Sequence, residues 1–210
     1  MTRGLTVALV GTDGSGKSTV AARLLREAGG PVRVVYMGLN SSKANTRVSL
    51  SRVADRLVDH ESDDFRGGRP DTRGRMWAAV RLGYRVLEES LRFTEIAVLR
   101  RRGYLVVMDR HVRFDHVLGD ESRGRLSERL HRAFLQRLTP LPDLLIWLDV
   151  PVATAIARSG EGTEEYHDRR RSAYGRAVAA GGEDAVRIDA TQPIDDVVGE
   201  VMRTVEAHRR

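Results

Sequence analysis

The stretch Gly11-Thr12-Asp13-Gly14-Ser15-Gly16-Lys17-Ser18-Thr19 places three glycines, one ammonium group and two adjacent hydroxyls within nine positions. Gly11, Gly16, Lys17 and Ser18 satisfy the spacing G-x-x-x-x-G-K-[ST], in which a glycine-rich turn folds backbone N–H groups around a polyphosphate. Glycines permit that inward turn, and a helix beginning at the end of it adds positive potential. Lys17 is then expected to reach the β- and γ-phosphates of ATP, and the Ser18 hydroxyl to ligate Mg²⁺. Asp13, Gly14, Ser15 and Thr19 fall in the same loop and complete the predicted nucleotide cradle.

Further candidates lie where apolar runs end. Asp109 and Arg110 close the stretch Leu105-Val106-Val107-Met108-Asp109-Arg110-His111, and Asp149 closes Leu144-Leu145-Ile146-Trp147-Leu148-Asp149. A carboxylate beside a phosphate loop can hold Mg²⁺ or orient an attacking oxygen, and an arginine directly after it can hold an anionic acceptor. For Asp149 a structural hydrogen bond is an equal reading. Arg169, Arg170 and Arg171 follow a glycine-containing loop, as a closing lid over 158–175 would require to bring positive charge to a γ-phosphate. Adjacent helical positions diverge by about 100°, so at most one or two of these arginines can face one site. Arg158 is placed to stack on an adenine ring, and the backbone near Ala190 to meet a base edge.

The elements that must carry these residues alternate. Strand-like runs cover Leu5–Val10, Val32–Met37, Tyr104–Met108, Leu144–Asp149 and Ala185–Ile188, mostly without polar alternation, as in a parallel sheet covered on both faces. Helical patterns cover about Gly16–Ala28, Asp71–Arg102, Arg125–Arg137, Val152–Ala157, Glu164–Ala180 and Pro193–Ala207. The prediction is an α/β three-layer sandwich with a five-stranded, mainly parallel sheet, ligands binding at the strands' C-terminal ends. One domain over 1–210 is expected. The polar, glycine- and serine-rich stretch 38–75 reads as a mobile substrate-covering insertion or a disordered one.

Composition narrows the function classes. The 210 residues carry a formal net charge of +6, and no cysteine is available for a disulfide or a thiolate metal site. Of the 35 basic residues only Lys17 and Lys43 are lysines, and the arginines are spread along or beside every predicted helix. That distribution describes a solvated surface rather than a nucleic-acid-binding face, while keeping guanidinium available for small phosphorylated substrates. The six histidines show no metal-ligand spacing, and His111 reads as a surface or supporting residue. With no apolar run long enough for a membrane span, a cytoplasmic location is expected.

Taken in order, "GTDGSGKST", the "DRH" at 109–111, "PDLLIWLDVPVATAIAR" at 142–158 and "IDATQPIDDV" at 188–197 resemble the thymidylate kinase family of P-loop nucleoside and nucleotide kinases. The resemblance implies a P-loop kinase fold with an arginine-bearing lid, ATP and Mg²⁺ as cofactors, and a nucleoside monophosphate, dTMP first, as acceptor. It implies that Asp109 assists acceptor and metal, that Arg110 binds phosphate and that Arg158 covers adenine. On the long helix, Trp77 and Tyr84 would meet the base and Arg81 and Arg85 the phosphate. It also implies a possible homodimer through that helix. The Arg-Glu-Pro-Gly segment usual after the second strand is replaced by Tyr36-Met37-Gly38-Leu39-Asn40. The same chemistry on another nucleoside or a non-nucleotide acceptor therefore stays open, as does a P-loop ATPase acting with nucleic acid.

Overall fold

A computed structural model of the chain describes residues 4–37, 75–111, 133–135 and 137–209, with side chains between 75 and 88 described only at 83, 86 and 87. Five strands form its centre: β1 (Leu5–Val10), β2 (Val32–Tyr36), β3 (Leu105–Asp109), β4 (Leu144–Asp149) and β5 (Ala185–Asp189). They pair in the order β2-β3-β1-β4-β5, every described pairing parallel. The helices are α1 (Lys17–Glu27), α2 (Arg75–Arg101), α3 (Val152–Ser159), α4 (Glu164–Ala180) and α5 (Ile194–His208).

The pleat sorts the core into two layers, because successive strand side chains point to opposite faces. Val7, Leu9, Leu105, Val107, Ile146 and Leu148 meet Val20, Ala21 and Leu24 of α1 and Val197, Val201 and Val205 of α5. Ala8, Val10, Val106, Met108, Leu145 and Trp147 meet Ile96 of α2 and Tyr174 of α4. Helices on both faces explain why β1, β3 and β4 are apolar at all but one position each and buried along their length. The expected α/β three-layer sandwich with its five-stranded parallel sheet is therefore the fold observed.

Strand ends differ from expectation by about one residue. Asp109 and Asp189 remain in the ladder, opposite Leu9 and Tyr36 in one case and Asp149 in the other. At the other end of the sheet Asp143 ties β4 to β1, its Oδ2 accepting from the Thr6 backbone N–H at 2.9 Å and the Thr6 hydroxyl at 2.7 Å. Arg100, in the last turn of α2, pairs with the second oxygen of the same carboxylate. These bonds fix the registry that brings the C-terminal strand ends together.

From β1 the chain moves out to β2, and after β3 it crosses to β4 on the other side of β1. A reversal of this kind opens a crevice at the C-terminal strand ends, where ligands bind in open α/β sheets. The segments 38–74 and 112–132 lie outside the described residues, and with them the predicted insertion (save Arg75) and most of the helix expected near 125–137.

Candidate active site

The loop between β1 and α1 occupies that crevice. A Cβ on Gly11 would lie 2.6 Å from the Leu148 carbonyl, so only glycine lets the chain pass β4 as it leaves the sheet. Gly16 is the N-cap of α1 at φ 88°, a left-handed conformation that glycine adopts without steric cost, and no side chain caps the helix behind it. The first-turn N–H groups of α1 are left for an external acceptor, with no acidic side chain in that turn to compete. Gly14 packs on α3, where a Cβ would lie 2.5 Å from the Ala155 carbonyl and 3.2 Å from the Arg158 Cβ.

Lys17 lies back across the loop. Its Nζ donates to the Gly11 carbonyl at 2.9 Å, the Thr12 carbonyl at 2.7 Å and the Ser15 hydroxyl at 3.2 Å. Those are three directions from one nitrogen, a geometry a rotatable ammonium supplies and a planar guanidinium does not. Ser18, on the first turn of α1, donates its hydroxyl to Asp109 Oδ2 at 2.8 Å. The other oxygen of Asp109 is buried and has no hydrogen-bond partner among the described residues. A buried, uncompensated carboxylate oxygen beside a hydroxyl is a hard-donor pair of the kind that takes Mg²⁺ together with substrate phosphates. No cluster of three or more His, Cys, Asp or Glu suited to a metal occurs among the described residues. Thr19 is exposed on the same turn.

Arg110 follows Asp109 in a conformation no other described non-glycine residue adopts, φ 71°. Left-handed backbone costs an L-residue roughly 1–2 kcal/mol, and here it turns the guanidinium back to Asp13, with Nη2 at 2.6 Å from Oδ1. Tyr166, on the first turn of α4, donates its hydroxyl to Asp13 Oδ2 at 3.2 Å. Arg170 donates to the Tyr166 hydroxyl at 3.0 Å and to the Tyr174 hydroxyl at 2.8 Å. A chain of polar contacts therefore runs Arg110–Asp13–Tyr166–Arg170 across the mouth of the loop. Burial alone would raise the Asp13 pKa, but the charges of Arg110, Lys17 and Arg170 and the Arg110 hydrogen bond outweigh it and hold the carboxyl below its usual range. Burial pushes the Tyr166 phenol up, so its proton stays in place as a donor.

The three neighbouring arginines of α4 take three directions. Arg169 is exposed and pairs with Glu165 at 2.8 Å along the helix surface. Arg170 turns in toward Tyr166 and Tyr174. Arg171 reaches Asp149 with both arms of its fork, Nε to Oδ1 at 2.7 Å and Nη2 to Oδ2 at 3.0 Å. On the far side of the loop, Arg158 Nη1 donates to the Ala190 carbonyl at 2.9 Å, joining the end of α3 to the turn after β5.

The structure thus gathers Lys17, Ser18, Asp109, Arg110, Asp13 and Arg170 into one cluster and brings Arg158 and Ala190 together beside it. Arg169 pairs with Glu165 and lines a shallow hollow with Tyr166 and Arg170. Trp77, Arg81, Tyr84 and Arg85 fall on α2, but their side chains lie outside the described residues. His111 is fully buried, its Nε2 at 3.1 Å from the Pro140 carbonyl. Tyr166 was not anticipated; its position four residues before Arg170 was the available signal, since i and i+4 side chains meet on a helix.

No family model matches the chain. It is 29% identical over 208 residues to a probable thymidylate kinase of Archaeoglobus fulgidus, covering 96% of this chain and 94% of that protein. It is 28% identical over 215 residues to a thymidylate kinase of Leifsonia xyli, covering 94% and 92% of the two. Among solved structures it matches the thymidylate kinase from Candida albicans with a TM-score of 0.67 at 16% identity, over 100% of this chain and 95% of that one. The resemblance carried by the motifs thus extends over almost the whole chain.

Proposed function

We propose that this protein is a phosphotransferase that moves the γ-phosphoryl group of ATP to a nucleoside monophosphate, dTMP, releasing the nucleoside diphosphate and ADP. The observation that carries the reading is the junction of β1 and α1. There an uncapped helix N-terminus, the Lys17 ammonium and the Ser18–Asp109 pair converge, with Arg110 held opposite. Relatedness to thymidylate kinases over nearly the full length supports dTMP as the acceptor.

In this reading the first-turn amides of α1 and Lys17 bind the polyphosphate, Lys17 exchanging its bonds to the loop carbonyls for phosphate oxygens. Ser18 and Asp109 are the residues that would hold Mg²⁺, which when bound neutralises charge on the transferring phosphoryl group. Arg158, fixed by Ala190, covers the adenine edge of the site. An acceptor phosphate oxygen attacks the γ-phosphorus as the bond to the β-bridging oxygen breaks. That oxygen is already ionised, so no general base is needed, and positioning with charge neutralisation supplies the acceleration. Arg110 holds the acceptor phosphate, and Arg170 brings charge from α4, acting as a lid over the phosphates. Trp77 and Tyr84 are assigned to the base, and Arg81 and Arg85 to its phosphate. Exposed Leu87 and Val98 on α2, 51% and 37% accessible, offer an apolar face for a homodimer.

The test is an ADP-release assay with ATP, Mg²⁺ and a panel of nucleoside monophosphates. Preferential turnover of dTMP is expected. Silence with every nucleotide, alongside intact ATP binding, would transfer the same chemistry to a non-nucleotide acceptor.

A further inference from the structure

Asp149 lies at the C-terminal end of β4, 3% exposed, and receives four charge-assisted hydrogen bonds. They come from two arginines in different ways. Arg171 of α4 forks across both oxygens. Arg187 of β5 directs Nε and Nη2 to the single oxygen Oδ2, at 2.9 and 2.6 Å, and lays its guanidinium over the Trp147 ring at 5.5 Å. The bidentate pair fixes an orientation as well as a contact.

Its place on α4 gives that orientation a consequence. The C-terminal half of the helix is packed on the sheet, with Ala173 and Tyr174 buried and Gly175 close against Trp147. Toward the N-terminus, Glu164, Glu165, Tyr166, Asp168 and Arg169 are exposed, and His167 and Arg170 are the buried side chains. Arg171 is thus an ionic grip on the sheet directly beside the turns that carry Tyr166 and Arg170. The backbone carbonyl of Asp149 also accepts from Ala190 N–H at 2.9 Å, so one residue touches both the α4 side and the Arg158–Ala190 corner.

We infer that Asp149 and Arg171 form a positioning lock, which sets the rotation of α4 so that Arg170 and Tyr166 face Asp13 while Arg169 is turned out. Neither residue touches the reacting atoms. Arg187 neutralises the carboxylate from the sheet side and has no hold on α4. The lock deepens the kinase reading and rests on it for its effect on turnover, but not for its effect on the helix.

Arg171→Ala and Arg187→Ala separate the two roles, because each removes two hydrogen bonds from the same carboxylate. Hydrogen exchange of the amides at 164–174 is measured first, on the full chain. Arg171→Ala is expected to speed it about tenfold or more, and Arg187→Ala to leave it within about twofold. With ATP and dTMP, Arg171→Ala should lower kcat about tenfold with KM for ATP nearly unchanged, while Arg187→Ala keeps the wild-type kcat. A purely structural carboxylate would lower Tm in both variants and produce neither contrast, and that result overturns the lock. Should Arg171→Ala fail to fold, Arg171→Lys, which keeps the charge without the fork, is read against Arg187→Ala by the same two measurements. An inactive wild-type protein overturns the kinase reading instead, and the exchange contrast then decides the lock on its own.

Discussion

Arg110 permits a test in which two variants lose activity alike but differ in stability. Its φ of 71° costs an arginine or alanine roughly 1–2 kcal/mol and costs glycine nothing. Glycine gives back about 0.5–1 kcal/mol through the freedom it adds to the unfolded chain. Both Arg110→Ala and Arg110→Gly lose the pair with Asp13, whose side chains are 29% and 26% exposed, an interaction screened to about 0.5–1 kcal/mol. That loss cancels between the variants. The remainder leaves the glycine protein more stable than the alanine protein by about 0–1.5 kcal/mol, or up to about 6 °C in melting temperature for a chain of this size.

Turnover should follow the guanidinium alone. Both variants are expected to lose about 100-fold or more in kcat/KM for the acceptor, as happens when an aligned charge at a transferring group is removed. Calorimetric melting and the ADP-release assay on the same preparations give both numbers. If the glycine variant melts below the alanine variant, the strain assigned to this position is not there. If either variant keeps more than about a tenth of wild-type kcat/KM, Arg110 does not hold the acceptor and its conformation needs another cause.

Lys17→Ala should lower turnover about 1,000-fold or more with the circular dichroism spectrum intact, and Lys17→Arg should recover little of it; an active arginine variant would dismiss the compact ammonium. Asp109→Asn should raise the Mg²⁺ concentration for half-maximal activity about tenfold or more, and an unchanged Mg²⁺ titration would remove Asp109 from the metal. Burial opposes ionisation of Asp149, but the hydrogen bonds and charges of Arg171 and Arg187 prevail and hold its carboxyl below the usual 3.8. A lowered folded-state pKa gives stability that is fully present above the unfolded value and lost as pH falls below it toward the folded value. The melting-temperature gap between wild type and Asp149→Asn should therefore hold steady above about pH 5 and narrow as pH falls below the unfolded value toward the lowered folded-state value, and a constant gap across that acid range would contradict the assignment.

How far the fold could be read in advance varied with the strand. β1, β3 and β4 are apolar because helices cover both of their faces, so their extents followed almost directly from the apolar runs. One-residue errors fell at Met37 and Tyr104, outside the observed strands, and at Asp109 and Asp189, inside them. At the two aspartates the ladder continues while the side chain answers to the crevice rather than to the core, so polarity is a poor guide to where pairing stops. The loop from Gly11 to Thr19 was legible for the opposite reason, since its chemistry is local and needs only a strand before it and a helix after it. Asp149 could not be assigned from sequence, because its partners stand 22 and 38 residues away on two different elements. Tyr166 lay hidden for a related reason: its bond to Asp13 spans 153 residues.

The arginine run shows what a local pattern can and cannot specify. Residues 169 to 171 are chemically identical, and helical geometry demands only that they diverge. What distinguishes them is the rotation of α4 against the sheet, set by Tyr174 below, Gly175 against Trp147 and the Asp149 fork at the side. With that rotation given, Arg170 reaches Tyr166, and Arg169 meets Glu165 along the exposed side of the helix. The same logic applies to Lys17 in a chain otherwise almost devoid of lysine. Arginine serves where a planar fork meets a carboxylate, as at Asp149. The loop instead presents three oxygens in three directions around one point, and there the chain carries an ammonium. Both cases place the deciding constraint in the shape of the acceptor, which neither composition nor net charge records.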